Sequence, residues 1–230
     1  MSRSTYSDTQ RDAEKYRQLV RALRHATTAV RTMEDQGQVD IGEVLTKLLP
    51  DIAAALNAQK GFVIRQATNG GAGQPQIEFV SVYPPDETIS ERSSASALLQ
   101  SILQDGRPRV IDTLDDEEPR PILGLEFFQA TSAILVRVQI IDQIYIVGVC
   151  NKRDRGAGPF LAGDRMTLDN ILELIAIGAR TSERRRRELD SIEHISRIAA
   201  QGSHEAVADE IVRQAVKLTR TLYAELWAIN

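Results

Sequence analysis

The chain has 230 residues, of which 42% are hydrophobic and 26% charged, and its formal net charge is −4. This length suits one globular domain with extensions, large enough to bury a core. The acidic balance argues against a nucleic-acid-binding protein, because such proteins concentrate basic charge. A single cysteine, Cys150, excludes an internal disulfide and suits a reducing compartment. With a polar N-terminus and no apolar run fit for a membrane helix, the sequence predicts a soluble, cytoplasmic protein.

The N-terminal region predicts two helices. Apolar or small residues recur from Tyr16 to Val30 at alternating spacings of four and three, which is typical of a helix that packs on a partner helix. After a polar break at 35–38, Asp40 is the predicted N-cap of a second helix. Pro50 lies inside that helical pattern and predicts a kink or a helix start nearby. The apolar face of the second helix consists of Val44, Leu45, Leu48, Leu49, Ile52 and Leu56.

The periodicity then changes to that of an α+β fold. A short helix is predicted at 94–103 and a long one from Asp164 to about Gln201. The run 144–152 is nearly continuously apolar and is expected at the centre of a sheet, whereas 77–83 alternates and is expected towards an edge. The full set of predicted strands is 61–66, 77–83, 109–112, 132–139 and 144–152. The predicted fold is therefore an antiparallel five- to six-stranded sheet with helices on one face, flanked by long coiled-coil-forming helices.

Three stretches of the sequence resemble the GAF domain, a PAS-like sensory module, over about residues 40–180. They read ALNAQKGFVI, LLQSILQDGRPRVIDTLDD and SAILVRVQIIDQIYIVGVCNKRDRGAGPFLAGDRMTLDNI. The resemblance implies a sheet with helices packed on one face and a small-molecule cavity on the other. It also implies that the 86–131 segment covers this cavity and that the terminal helices dimerise.

The third stretch contains a motif that resembles part of cyclic-nucleotide-binding GAF domains. Asn151, Lys152, Phe160 and Asp164 match an Asn-Lys…Phe…Asp-Glu pattern, but Arg165 replaces the final Glu. In that family the Lys and Asp form an ion pair between a strand end and a helix start. From the residues alone, Asp164 is the predicted N-cap of the long helix. The four residues are therefore interpreted as a structural brace and not as ligand contacts.

Strand alternation and family position suggest which residues line the cavity. The predicted ligand-binding set is Phe62, Ile64, Val80, Asp112, Thr113, Thr131 and Ser132. No catalytic residue, metal site or cofactor is predicted, since the histidines fall on terminal helices and Cys150 is interpreted as an unreactive strand residue. The glycine-rich run 69–73 is interpreted as a hairpin loop and the acidic run 115–118 as a solvated loop.

These features predict a non-catalytic sensory or regulatory domain that binds a small ligand, relays a conformational signal through dimeric helices, or does both. The alternative is a ligand-free dimerisation and relay module whose pocket is filled by side chains. A homodimer is expected through the 12–33 and 165–200 helices, because their seams look too apolar for one domain to bury. The expected partner is an output domain such as a kinase or cyclase, as in two-component systems.

An internal repeat refines the domain organisation. Residues 41–64 and 204–229 share a plan of an amphipathic helix followed by a short apolar strand. Leu48 corresponds to Ile211, and Val63 to Leu226. The predicted units are a dimerisation helix at 1–38, a GAF-like domain at 39–180, a signalling helix at 181–203 and the start of a truncated second GAF-like domain at 204–230.

Overall fold

The computed structural model describes residues 3–36, 40–67, 77–85, 97–113, 120–153, 159–201 and 204–219. The helices in this part of the chain are α1 Arg3–Gln36, α2 Ile41–Ala55, α3 Ala97–Asp105, α4 Ala162–Gln201 and α5 His204–Thr219. The strands are β1 Ala58–Gln66, β2 Ile77–Tyr83, β3 Arg109–Asp112, β4 Ser132–Ile140 and β5 Gln143–Lys152.

The strands form one antiparallel sheet in the order β2-β1-β5-β4-β3. As predicted, β5 is the central strand and β2 lies at an edge. Buried side chains occupy both faces of β5, with Val147 on one face and Ile146 on the other, which explains why its sequence is apolar at nearly every position. The α+β prediction is therefore confirmed.

α2 connects the N-terminal region to the sheet. Asp40 is its N-cap, and the Asp40 side chain accepts a hydrogen bond of 2.8 Å from the Gly42 backbone N–H. The predicted apolar face of this helix is buried throughout. Pro50 lies within α2 on its exposed side and does not mark a helix start.

α2 and α4 pack against one side of the sheet, which we call the helical face. α1 lies on α2 and α4, where Ala22 and Ala26 are fully buried and Leu23 packs against the core. The predicted seam itself is only partly covered in this way, because Leu23 and Val30 are half-buried whereas Tyr16 and Thr27 are exposed, so the expected dimer contact stays a prediction. Small residues in α1 let the three helices approach closely, so one chain supplies the partner surface itself.

Half of α4 belongs to this core and half extends beyond it. Its buried apolar positions run from Leu168 to Ala179, with Ser182 the next buried residue along the seam. Further along, Leu189 and Ile192 are 58% and 60% exposed. α5 then folds back along α4. The predicted strand 224–229 lies outside the described residues, so the second-domain hypothesis stays a prediction.

The α1–α4 contact predicts how two glycines of α4 respond to alanine. A Cβ at Gly178 would lie 2.3 Å from Val30 Cγ1, whereas a Cβ at Gly163 would meet nothing within 4 Å. Gly178→Ala should destabilise the protein by about 1–3 kcal/mol through overpacking. Gly163→Ala should be neutral or stabilising by up to about 1 kcal/mol, because alanine favours helix. Urea unfolding of both variants measures the difference.

The double variant Val30→Ala/Gly178→Ala is the internal control, because it removes the methyl groups that the new Cβ would strike. It should recover most of the stability that Gly178→Ala loses. Equal unfolding midpoints for Gly178→Ala and Gly163→Ala would show that α1 does not dock here.

Candidate functional site

The sheet face opposite α1, α2 and α4, which we call the cup face, is where the sequence predicted a ligand cavity. In the described residues it is filled by side chains. Phe62 and Phe128 stack with ring centroids 5.0 Å apart, and Phe127 meets Phe79 edge-on at 5.5 Å. Gly148 allows this packing, because a Cβ there would lie 2.3 Å from the Phe62 ring. The other fully buried members of this cluster are Ile64, Leu99, Ile102, Leu125, Ala130, Ala133, Leu135, Ile146 and Cys150.

Of the predicted ligand-lining residues, Val80 lies on the wrong face. A bulge in β2 sets both Val80 and Ser81 opposite Val63, and one extra residue reverses the direction of the side chains that follow. Phe79 and Val82 therefore point to the cup face, whereas Val80 packs on the helical face near Gly42. Val80 points away from Phe79 as alternation requires, and what alternation could not reveal is that Val82 lies on the face opposite Val80, because the bulge depends on pairing with β1.

The remaining polar members of that set lie together where β3, β4 and β5 meet. Asp112 pairs with Ser132 in the ladder between β3 and β4, next to the cup-face pair Ile111 and Ala133. Because neighbouring positions of a strand point to opposite faces, the Asp112 and Ser132 side chains point to the helical face and not into the cup, where the sequence predicted them. The Thr113 hydroxyl donates to the backbone oxygens of Arg120, at 2.7 Å, and Thr131, at 3.1 Å. The Thr113 hydroxyl is therefore already hydrogen-bonded to backbone oxygens of the protein.

Asn151 organises this end of the sheet. It adopts a positive φ of 53°, a conformation that asparagine tolerates better than most residues. Its Oδ1 accepts hydrogen bonds from the Thr131 backbone N–H at 2.8 Å, the Thr131 hydroxyl at 3.2 Å and the Ser132 N–H at 3.3 Å. Its Nδ2 donates to the Gln129 carbonyl. One side chain thus holds the start of β4 beside the end of β5.

The adjacent Lys152 forms an ion pair with Asp164 at the start of α4. Lys152 Nζ lies 2.9 Å from Asp164 Oδ2, and the two side chains are only 10% and 3% exposed. The ammonium group also lies 5.3 Å from the ring centroid of Phe160, within the range of a cation–π contact. The structure thus brings together Lys152, Phe160 and Asp164, three of the four motif residues.

The sequence predicted Asp164 as the N-cap of α4, but Asp164 is not the cap residue itself. α4 begins at Ala162, and Asp164 lies in its first turn, where Oδ2 accepts a 3.0 Å hydrogen bond from the Leu161 backbone N–H. This is the backward half of a capping box, in which the third helical residue satisfies the N–H of the cap residue. The carboxylate therefore stabilises both the helix start and the charge of Lys152.

Other candidate features contribute no cluster to this site. Among the described residues, no three His, Cys, Asp or Glu side chains are placed to hold a metal ion. Cys150 is buried in the cup-face cluster. Within the same part of the chain, no helix is both long and apolar enough to cross a membrane. The runs 69–73 and 115–118 lie outside the described residues.

The sequence reasoning missed two charged residues near the ends of the strands. Arg153 donates from Nε to the Ala58 carbonyl at 2.9 Å and from Nη2 to the Tyr83 hydroxyl at 3.0 Å, which ties β1 and β2 to the end of β5. Arg137 lies on the cup face of β4. The sequence contains a signal that could have identified Arg137, because this residue interrupts the apolar alternation of SAILVRVQ at an inward position.

A second polar cluster lies between α4 and α5. Glu210 is only 2% exposed, and its Oε1 accepts a 2.6 Å hydrogen bond from Gln214 and lies 3.2 Å from His194 Nε2. Ser191 donates to Gln214 at 3.0 Å. The hydrogen bond from Gln214, assisted by the charges of Arg213 and His194, lowers the pKa of Glu210 below its usual range.

The architecture matches solved GAF domains. The phycocyanobilin-bound GAF domain from a cyanobacterial phytochrome aligns with a TM-score of 0.50 at 12% identity, over 71% of this chain and 94% of that one. The phycoerythrobilin-bound GAF domain from a cyanobacterial phytochrome scores 0.48 at 12% identity, over 71% and 95%. Residues 122 to 287 of a methyl-accepting chemotaxis protein score 0.46 at 15% identity, over 70% and 98%.

The fold is that of a GAF domain, and the first of these alignments carries that conclusion. At 12% identity it shows the fold alone. No protein-family model matches the sequence, and neither does any curated protein.

The Lys152–Asp164 pair predicts a large effect for one substitution in α4 and a small effect for a neighbour. Asp164→Ala leaves the Lys152 charge buried and unpaired, which should cost about 3–5 kcal/mol of unfolding free energy. Asp169→Ala is the control, since Asp169 lies 4.0 Å from Arg165 at a half-exposed position. Its loss should stay within about 1 kcal/mol. Equal losses in denaturant unfolding would contradict a special role for Asp164.

Glu210 predicts a pH-dependent contact between α4 and α5. Because folding lowers its pKa, the contribution of Glu210 is fully present above its unfolded pKa and is lost as the pH falls through the folded value. NMR signals of α5 should therefore leave their docked positions in that acidic range. Glu210→Gln should abolish this transition, whereas Glu205→Gln, at an exposed position of α5, should leave it unchanged. A transition that survives Glu210→Gln would refute the assignment.

Proposed function

We propose that this protein is a cytoplasmic, non-catalytic regulatory module that relays a conformational signal through α4. The observation that carries the proposal is the continuity of α4. This helix starts at the Lys152–Asp164 ion pair, passes through the core as far as Ser182 and continues to Gln201. The residues after Ser182 extend the helix by about 28 Å, at 1.5 Å per residue.

This continuity supports a relay because a helix transmits rotation and translation along its axis. Lys152 and Asp164 fix its first turn to the end of β5, and we propose that this brace couples the sheet to the helix. Two packings of α1 against α4, differing in free energy by a few kcal/mol, would give such a module two states. Signals would leave through 181–203, which we assign as the signalling helix between a GAF domain at 39–180 and residues 204–230.

The cup face suggests two mechanisms by which the equilibrium between these two states is set. Phe62, Ile64 and Phe128 are fully buried there, which favours the relay module whose pocket is filled by side chains. The second candidate is a small ligand bound near Asp112, Thr113, Thr131 and Ser132. It is supported by the convergence of these polar groups at one end of the sheet, beside the Asn151 side chain.

We further propose that the module acts as a homodimer and controls an output domain such as a kinase or cyclase in a two-component pathway. Apolar side chains that the chain leaves exposed on its long helices support dimerisation: Tyr16, Met166, Ile177, Leu189 and Ile192. The basic run 184–187 is compatible with a solvated helix surface, because Arg184 pairs with Glu188 and Arg187 with Glu183 at 2.9 Å.

Sedimentation velocity at micromolar concentration tests the dimer. The wild-type protein should sediment as a species of twice the chain mass of 25.5 kDa. Leu189→Glu/Ile192→Glu should sediment as a monomer, because two charges in an apolar helix contact oppose association. Leu123→Glu is the matched control, since Leu123 is 85% exposed and lies away from these helices. A monomeric wild-type protein would refute the dimeric relay.

A further inference from the structure

Arg137 is the basis of a binding site that lies apart from the sheet end occupied by Asn151. It follows Leu135 by two residues on β4 and pairs directly with Ile146 of β5. Both neighbours belong to the cup-face cluster, and cross-strand partners point to the same side of a sheet. Arg137 therefore projects onto the cup face, at the edge of the apolar cluster.

The Arg137 guanidinium group has an unsatisfied donor. Its Nε is buried and has no hydrogen-bond partner, and it is the only such side-chain atom in the described part of the chain. Leaving a buried donor unpaired is unfavourable, and more so when the group is charged. In a folded protein, such a buried donor is satisfied by a species that binds to it, such as an ion or a ligand.

The nearby carboxylate of the protein is already engaged. Asp105, at the end of α3, accepts the Arg107 backbone N–H at 2.8 Å through Oδ1 and pairs with Arg109 through Oδ2. Gly106 follows with a φ of 69°, and a Cβ placed on it would lie 3.5 Å from Arg137 Nη1. The end of α3 thus covers one side of the guanidinium group without neutralising it.

The remaining surroundings of Arg137 indicate the kind of ligand that would bind to its guanidinium group. Arg137 is only partly buried, so an incoming group can reach it from the rim of the cup. Ile144, diagonal to Arg137 on the same face, is half-buried and packs against the cup-face cluster. A guanidinium fork beside an aliphatic surface fits a carboxylate that carries a short apolar chain, because a carboxylate accepts two parallel N–H bonds.

We propose that Arg137 anchors a small aliphatic carboxylate at the rim of the cup, between the end of α3 and Ile144. This inference goes beyond the relay function and does not depend on it, because the site lies within one chain. A carboxylate bound here would contact both α3 and the β4–β5 hairpin.

The test is an NMR titration of the full chain with hexanoate, compared with hexanamide and inorganic phosphate. Hexanoate should shift the signals of Arg137, Gly106 and Ile144 saturably, and hexanamide should bind at least tenfold more weakly. Arg137→Met should also weaken hexanoate binding at least tenfold, whereas Arg165→Met, at a half-exposed site on α4, should not. Absence of saturable shifts with hexanoate, or equal binding of phosphate, would overturn the proposal.

Thermal unfolding without ligand supplies an independent readout. If Arg137 lacks an internal partner, Arg137→Met should melt at the same temperature as wild type or higher, because it removes a buried donor that has no hydrogen-bond partner. Hexanoate should raise the melting temperature of the wild type and of Arg165→Met, but not of Arg137→Met. A clear fall in the melting temperature of Arg137→Met alone would show that the protein itself neutralises this arginine, and would overturn the proposal.

Discussion

The ion pair between Lys152 and Asp164 is the interaction that joins the sheet to the long helix. Its two charges are nearly excluded from water, so each depends on the other for most of its electrostatic stabilisation. Asp164 also satisfies the Leu161 N–H at the helix start. Because β5 is the central strand and α4 is the longest helix in the described residues, this contact fixes the position of the longest helix relative to the centre of the sheet.

The two faces of the sheet differ in how they are filled. Long helices cover the helical face, and Ala22, Ala26 and Gly178 allow them to approach closely. Aromatic rings fill the centre of the cup face, where Gly148 leaves room for Phe62. Among the described residues, polar and charged groups of this second face lie towards its margins, at Asn151 and Lys60 on one side and at Arg137 on the other. Both proposed sites for small molecules therefore lie at its rim.

Much of the fold and part of the candidate site could be predicted from local signals. Apolar continuity identified β5 as the central strand, and the Asp40 cap marked the start of α2. The resemblance to cyclic-nucleotide-binding GAF domains implied the pairing of Lys152 at a strand end with Asp164 at a helix start. The opposite faces of Val80 and Val82 could not be predicted, because a bulge between them reverses the alternation and the bulge arises from register with β1. The contacts of the α1 seam likewise could not be predicted, since a heptad pattern does not say whether the covering helix is in the same chain.

The sequence by itself determined the elements of this protein, their order and the chemical character of each face, because these follow from short-range periodicity, capping and turn chemistry. Only the tertiary structure decided which faces meet. The closure of the cup by Phe62 and Phe128, the docking of α1 on α4 and the unpaired Nε of Arg137 all depend on contacts between residues far apart in the sequence. Such contacts form when the chain packs as a whole, and no local pattern specifies them.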